Sequence, residues 1–512
     1  MKLDAPARTR TPSDRPAPAI PATAVLATAV IIIGYLVLFW SLDSMPFQDL
    51  PNHLTRAAIE SDLLLHGGQR YGNQFACTPL LTPYVGGDAL LAGLVTAFGA
   101  GIAGRMWVLV AAASFPVSLA IYLRAARFSP YSIFVASILS LYLTTEWFFL
   151  TGMFHFRLAV AVVLLALAAW EVWLRKRSVG AYIAWTLLVV AGYLIHLSAL
   201  LFSAVAAAVI GLVAVARRET SWRRATAGTL PLATVTLWQV LAPPSDVSEG
   251  VKIWGGWRKL WAVLAPFARY EWPLDGALLL GLAGVCALLL LHGTVARSDR
   301  RVVSAVLLTI VFLALYAVIP FASGRFSHLD TRAVVLAATF AVVAALAAGE
   351  HGGVRSRAVI WLSLLVALGN LALLSAHLIG HNRVLREYRA IAARVPPDAR
   401  VLPVATVPLD GFTNPFIHAG AFVTLDAGAF TPYLPTSGAT RYFGYRSPPS
   451  RPVGEFWYQA AQPTAPGARA AIERDFDYLI VMNPFDPMRL PVATEVVARN
   501  EAATLLRIVP GT

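Results

Sequence analysis

The feature that most constrains this chain is a succession of apolar runs, each close to the roughly 20 residues that a helix needs to cross a bilayer. They lie at Ile20–Trp40, Arg105–Leu123, Ser132–Leu150, Leu158–Leu174, Ala181–Ile195, Leu197–Ala216, Thr226–Ala242, Gly276–His292, Val302–Pro320, Ala333–Gly349 and Ala358–Ile379. Of the 512 residues, 57% are hydrophobic and 13% charged, whereas a soluble domain carries about 25% charged residues. So few polar groups cannot cover a sphere of this size in water. The chain therefore takes lipid as its solvent. This predicts a mainly α fold, a multi-pass transmembrane helical bundle of about 11 spans. The first run is longer than the apolar core of about 7–15 residues in a cleaved signal peptide, so it reads as an uncleaved span. A further stretch, Gly86–Ala100, is short and carries Asp88 near its start, which suits a helix lying at the membrane surface.

Charge orients the spans. The net charge is +13, yet the longest basic stretch is Arg175-Lys176-Arg177, and basic residues punctuate apolar runs. That pattern belongs to membrane orientation and excludes a nucleic-acid partner. With eleven spans and a cytoplasmic N-terminus, the inside loops hold Arg124/Arg127, Arg175/Lys176/Arg177, Arg217/Arg218/Arg223/Arg224, Arg297/Arg300/Arg301 and Arg355/Arg357. These inside arginines are expected to have few partners. The C-terminus then lies outside. Residues 1–19 read as a disordered cytoplasmic tail, 20–379 as the transmembrane domain, and 43–104 as a long first periplasmic loop with juxtamembrane helices. Residues 380–512 turn Pro-rich, aromatic and charged, with strand-like stretches at Val401–Val407, Asp477–Met482 and Glu495–Val497; they predict a small extracytoplasmic α/β domain. Only four of the 41 basic residues are lysine, an arginine bias expected of a GC-rich bacterial genome, hence a bacterial inner membrane. Cys77 and Cys286 are too few for a disulfide framework.

Ionisable groups at membrane depth are costly and mark functional sites. Here they gather on the outer side: His53 in the first loop, His155 and Arg157 at one span's outer end, His196 in a tight outer turn, and Arg325, His328, Asp330 and Arg332 in another. Each can equally snorkel to headgroups or cap a helix. The sharpest string is PFQDLPNHLTRAAIESDLLL, Pro46–Leu65, directly after the first span. Asp49 or Asn52 can cap a helix opening at Pro51, and Asp49 and His53, four apart, share a face if both are helical. Alternatively Asp49 is a general base, since partial desolvation beside the membrane makes a carboxylate a better proton acceptor. Trp254, Trp257 and Trp261 form one stripe beside Lys252, Arg258 and Lys259, either an interfacial anchor or a clamp on a lipid phosphate. The chain has no P-loop, GxGxxG, HExxH or CxxC motif, which argues against nucleotide cofactors and a zinc site.

An acidic residue just past the first span, juxtamembrane helices, many spans and an extracytoplasmic C-terminal domain resemble the GT-C superfamily of membrane glycosyltransferases. The resemblance implies a polyprenyl-phosphate-sugar donor drawn from the membrane lipid and a glycan, lipid or protein acceptor. It places Asp49 at the loop acid that takes the acceptor's proton or holds a metal, with His53 beside it. Asp88, His155, Arg157, His196, Arg325, His328 and Arg332 would line the substrate, Arg325 and Arg332 forking onto the donor phosphate. Many members carry an acidic pair where this chain has Gln48-Asp49. No cofactor is therefore expected, although Asp88 can supply a second carboxylate for a divalent metal. The alternatives are a non-catalytic carrier or assembly factor for envelope polysaccharide, and a lipid-linked glycan ligase or polymerase.

Overall fold

The structure is a computed structural model that describes residues 20–77, 82–241, 251–253, 256–291, 299–323, 327–351, 356–404, 412–435, 443–447, 449–453, 467–484 and 490–509. After α1 (Ala22–Ser41) a short turn leads into α2 (Leu50–Leu65), β1 (Phe75–Cys77) and the long α3 (Val85–Ala125). There follow α4 (Pro130–Thr144), α5 (Trp147–Leu150), α6 (Phe154–Lys176), α7 (Val179–Ile195), α8 (Leu197–Ala216), α9 (Trp222–Ala227) and α10 (Leu230–Leu241). Then come β2 (Val251–Lys252), α11 (Trp257–Ala262), α12 (Trp272–Leu291), α13 (Arg300–Val318), β3 (Ala322–Ser323), α14 (Thr331–His351) and α15 (Arg357–Ala392). The chain closes with β4 (Val401–Val404), β5 (Phe443–Tyr445), α16 (Ala468–Asp475), β6 (Tyr478–Met482), β7 (Thr494–Arg499) and β8 (Ala503–Ile508).

Among the described residues, eight helices are long and apolar enough to cross a membrane: α1, α3, α6, α8, α12, α13, α14 and α15. The apolar helices α4 and α7 are shorter. The multi-pass helical fold class is as the apolar runs predict. α6 and α14 run through the middle of the bundle, while α1 and α12 expose Leu26, Ile33, Val37, Leu280 and Leu291. Apolar surface on that scale needs lipid against it.

Three boundaries differ from the sequence reading, each for a physical reason, and one is kept. The run Ser132–Leu150 breaks after Thr144, where the Thr145 carbonyl accepts from Arg269 Nη1 (3.2 Å) and Glu146 caps α5 by accepting from Phe148 N–H. The run Thr226–Ala242 breaks at Gly228, whose carbonyl accepts from Trp185 Nε1 (2.8 Å). A freed carbonyl is tolerable inside an apolar bundle only with such a donor. The short stretch from Gly86 and the next span follow one another within α3 as two helices that meet at Gly99, whose φ 74° and ψ 158° are not helical. Finally α15 does not stop at Ile379 but continues to Ala392, burying Asn382, Leu385, Tyr388 and Ile391 on one face. That three-to-four spacing belongs to an amphipathic helix, so the span extends beyond the 379/380 boundary as a surface helix.

The residues after α15 build a four-stranded mixed sheet in the order β4-β6-β8-β7, with β4 parallel to β6 and the other pairs antiparallel. Alternate side chains of β6 serve two cores, as a period of two requires. Leu479 and Val481 pack with Ile472 and Phe476 of the α16 region, while Ile480 and Met482 join the main helical core. Asn500 Nδ2 donates to the Glu387 carbonyl, which ties the sheet to α15.

The arginine-rich end is more heavily partnered than the sequence implies. Arg300 reaches both Glu171 and Glu219, and Arg301 reaches Asp299 and Glu350. Asp299 is the N-cap of α13, two residues before Arg301, but Glu171, Glu219 and Glu350 come from distant segments, so no local pattern reveals them.

The turn after α1 is fixed by α15. Asn382 Oδ1 accepts from the Ser44 and Met45 N–H groups (2.8 and 3.2 Å), and its Nδ2 donates to Asp43 Oδ1 (2.8 Å). Asn382→Leu strands these groups, so it should destabilise the protein by about 1–3 kcal/mol. Thermal unfolding in detergent checks this; an unchanged midpoint would show that water replaces the amide.

Candidate functional site

The site begins where α2 starts. Asp49 N–H donates to the Thr151 carbonyl (2.9 Å). Gly152, with φ 75°, lies so close that a Cβ there would sit 2.9 Å from the Asp49 and Leu50 nitrogens. Asp49 occupies the N-cap position of α2, but its side chain makes no capping hydrogen bond. Instead Oδ1 lies 3.3 Å from His418 Nε2, with Asp49 24% and His418 14% exposed. The cap that the sequence offers as the ordinary role for Asp49 is not formed. Nor does Asp49 pair with His53: Asp49 stands at the helix entrance, and His53 turns the other way.

His53 belongs to a second group centred on Asp88. Tyr84 enters α3 in the left-handed region (φ 78°), which sets Asp88 in the first turn, where the helix dipole favours a carboxylate. Asp88 is fully buried, and α2 supplies its counter-charge: Arg56 Nη2 is 2.6 Å from Oδ1. His155 Nε2 from the start of α6 is 3.1 Å and His53 Nδ1 3.9 Å from the same oxygen. Gly87 makes this possible, because a Cβ there would lie 2.0 Å from the His155 ring. Burial, the His155 ring and Arg56 push His53 well below its ordinary value. Burial, and then the charge of Asp88, push Glu60 up to about 8.

The ligand atoms of His53, Asp88 and His155 lie within 4.8 Å of one another, a spacing that can hold a metal ion. Here the fit fails. Arg56 Nη2 also lies 3.1 Å from His53 Nδ1, so the guanidinium already stands among the three ligands as the local cation. A metal ion would have to displace it from Asp88.

A third group follows without a gap. Tyr84 Oη is 3.0 Å from His196 Nε2, and Tyr84 faces the His155 ring at 6.0 Å. His196 caps α8: its Nδ1 accepts from Ser198 N–H (3.1 Å). A neutral ring that accepts at Nδ1 carries its proton on Nε2, and burial with the nearby Arg332 charge does hold His196 well below its ordinary value. Nε2–H then donates to Tyr84. Arg332 Nη1, 3.1 Å from the same nitrogen, finds no acceptor in it. Arg332 is 7% exposed, its Nε is buried without a partner, and among the described residues no carboxylate pairs with it. It stands in the first turn of α14, where backbone N–H groups already favour an anion.

The remaining sequence candidates are placed elsewhere. Arg157 is fully buried and spent on Glu146 (2.9 Å), so it is not available to a ligand. His328 is wedged between Trp147 and Phe321, with ring centroids at 4.5 and 4.7 Å; burial and Arg332 push it down to about 4. Arg325 and Trp254 lie outside the described residues, while Trp257 and Trp261 meet edge-to-face on α11. Asp88 and His155 are too buried to touch a substrate directly and act on the groups around them. The sequence reading missed Arg56, Glu60, Tyr84 and His418. Arg56 had a signal, since it lies three residues after His53 and four before Glu60 on a predicted helix; His418 had none. Beside Asp49 a cavity opens between α2 and the C-terminal part, lined by Asn52, Tyr388, Phe416, His418, Thr431 and Tyr433 among others.

No protein-family model and no curated protein matches the chain in sequence. Solved structures do match in fold. ArnT from Cupriavidus metallidurans superposes with a TM-score of 0.55 over 96% of this chain and 99% of that one, both bound to undecaprenyl phosphate (14% identity) and in the apo state (12%). The arabinofuranosyltransferase AftD from mycobacteria gives a TM-score of 0.52 at 14% identity, over 96% of this chain and 40% of that one. At such identities the likeness is one of architecture. The chain shares with them a multi-pass helical fold.

Two outcomes test this electrostatic picture. Asp88→Ala leaves the buried Arg56 with only Glu60, 3.9 Å away, as a carboxylate neighbour, and should cost about 3 kcal/mol in unfolding experiments. Glu60 is raised from 4.5 to about 8 on folding, so its contribution is complete below pH 4.5 and is lost as pH rises towards 8. Glu60→Gln should flatten that decline; parallel stability curves for the two proteins would contradict the assignment.

Proposed function

We propose that this chain is a membrane glycosyltransferase that moves a sugar from a polyprenyl-phosphate-linked donor to an extracytoplasmic acceptor. The observation that carries the reading is Arg332, a buried cation at a helix N-terminus without a carboxylate partner among the described residues. A phosphate supplies the missing charge, and arginine forks onto phosphate oxygens where lysine makes a point contact. The fold supports a donor that arrives within the bilayer, as does the undecaprenyl phosphate bound to ArnT.

In this reading the arginine-rich end faces the cytoplasm, by the positive-inside bias, and the polar end faces the periplasm. The donor phosphate rests against Arg332 and the α14 N-terminus, with Tyr84 as a further hydrogen-bonding neighbour. Asp49, partly exposed and free of any capping duty, accepts the proton of the acceptor hydroxyl. The hydroxyl oxygen forms the new bond at the anomeric carbon, the bond from that carbon to the phosphate oxygen breaks, and polyprenyl phosphate leaves with the electron pair. Arg56 keeps Asp88 neutralised, so the local positive charge comes from the protein.

Asp49→Asn keeps the shape of the side chain but cannot take the proton, and should lower transfer by about 10²–10⁴-fold at unchanged protein level. Transfer of radiolabelled sugar from lipid-linked donor in membranes checks this; normal transfer by a well-expressed variant would sink the role. Arg332→Lys should weaken binding of undecaprenyl phosphate more than it lowers thermal stability. Chelation with EDTA should leave transfer intact, and a loss restored by a divalent metal would contradict the role given to Arg56.

A further inference from the structure

We infer that His418, contributed by the segment after α15, is the positioning residue of this site: it holds the Asp49 carboxylate in the orientation in which it receives the acceptor's proton. The inference rests on the proposed base role of Asp49.

The geometry behind it is independent of that role. Asp49 sits where a helix cap is expected, yet its side chain makes no capping hydrogen bond, and its Oδ1 lies 3.3 Å from His418 Nε2. The Leu50 and His53 N–H groups bond to main-chain carbonyls and Pro51 has none, so the carboxylate is little needed as a cap and is free to pair with the imidazole. His418 is also held on a rigid segment. Thr55 Oγ of α2 donates to the Ala421 carbonyl (3.0 Å), and Tyr71 Oη to the Thr424 carbonyl (3.2 Å). Arg389 of α15 forks onto Asp426 at 2.7 and 2.8 Å. The segment is thus pinned to the helix that Asp49 opens and to the helix behind it. Supports of this kind fix a first contact to within the tolerance that proton transfer needs.

The second observation is the cavity beside the pair. His418 forms part of its wall, as does Asn52, the residue one turn into α2 from Asp49. His418 Nε2 faces Oδ1 of Asp49, and in this inference Oδ2 is the oxygen left for the acceptor hydroxyl. His418 exchanges no proton in the reaction; it fixes which carboxylate oxygen takes it. The site is accordingly incomplete without the C-terminal part of the chain.

The test uses the full-length protein in nanodiscs, with a panel of radiolabelled undecaprenyl-phosphate monosaccharides to find one that the wild type accepts. His418→Phe removes the donor, and kcat should fall about 10- to 100-fold while KM for the donor and the unfolding temperature stay put. His418→Gln returns an N–H near the Nε2 position and should restore most of the rate. In an Asp49→Asn background, His418→Phe should cause no further loss, because the two residues act as one unit. A His418→Phe variant with full kcat, beside an inactive Asp49→Asn, overturns this inference alone and leaves the base intact. Loss of rate in both the Phe and Gln variants together with a fall in unfolding temperature reduces His418 to a structural residue, which also overturns it. An active Asp49→Asn removes the base reading and the inference with it.

Discussion

The ion pair between Arg56 and Asp88, 2.6 Å apart and closed off from solvent, organises the polar end of this molecule. An isolated carboxylate at the first turn of α3 would be intolerable at that depth, and so would an isolated guanidinium on α2. Together they let α2, which is not among the membrane-crossing helices, dock against the start of α3. The paired carboxylate then draws in His155 from α6, and the missing side chain at Gly87 leaves room for the ring. From there the contacts run through Tyr84 to His196 and Arg332. Break the pair, and α2, α3 and α6 lose the reason for meeting where they do.

Charge balance separates the parts of this network that are structural from those left open to a ligand. Arg56, Arg157, Arg269 and Arg300 all sit against carboxylates. Such pairs cost desolvation and return it in Coulomb energy, so they hold helices in register and attract nothing further. Arg332 differs, for its neighbours are a neutral imidazole, a phenol and the face of Phe156. Asp49 differs in the same way from the other acids near it: it is partly exposed, and its one described partner is a histidine. A catalytic site needs an unmatched cation for the phosphate and an accessible base for the hydroxyl, and these two residues are where the balance is left incomplete.

The apolar runs made most of the helices legible, because crossing hydrocarbon demands a length and a composition that few other structures share. The breaks at Thr145 and Gly228 were not legible, since they depend on Arg269 and Trp185 arriving from elsewhere to satisfy a freed carbonyl. Among the site residues, His53, Asp88, His155, His196 and Arg332 stood out as polar groups at the ends of apolar runs, and the structure brings them into one network. What the sequence could not convey was division of labour. Arg56 reads like any arginine on an amphipathic helix, yet it neutralises the buried acid. Asp49 reads like a cap, and only the fold reveals His418, more than 360 residues later in the chain, as its partner.

The most direct measurement is a structure of the protein in lipid nanodiscs with undecaprenyl phosphate added. The account predicts phosphate density at the N-terminus of α14, about 3 Å from the Arg332 guanidinium, at the end of the bundle where Asp49 opens α2. Phosphate bound instead among the arginines at the opposite end, or an Arg332 that meets no phosphate when the lipid is bound, would contradict it.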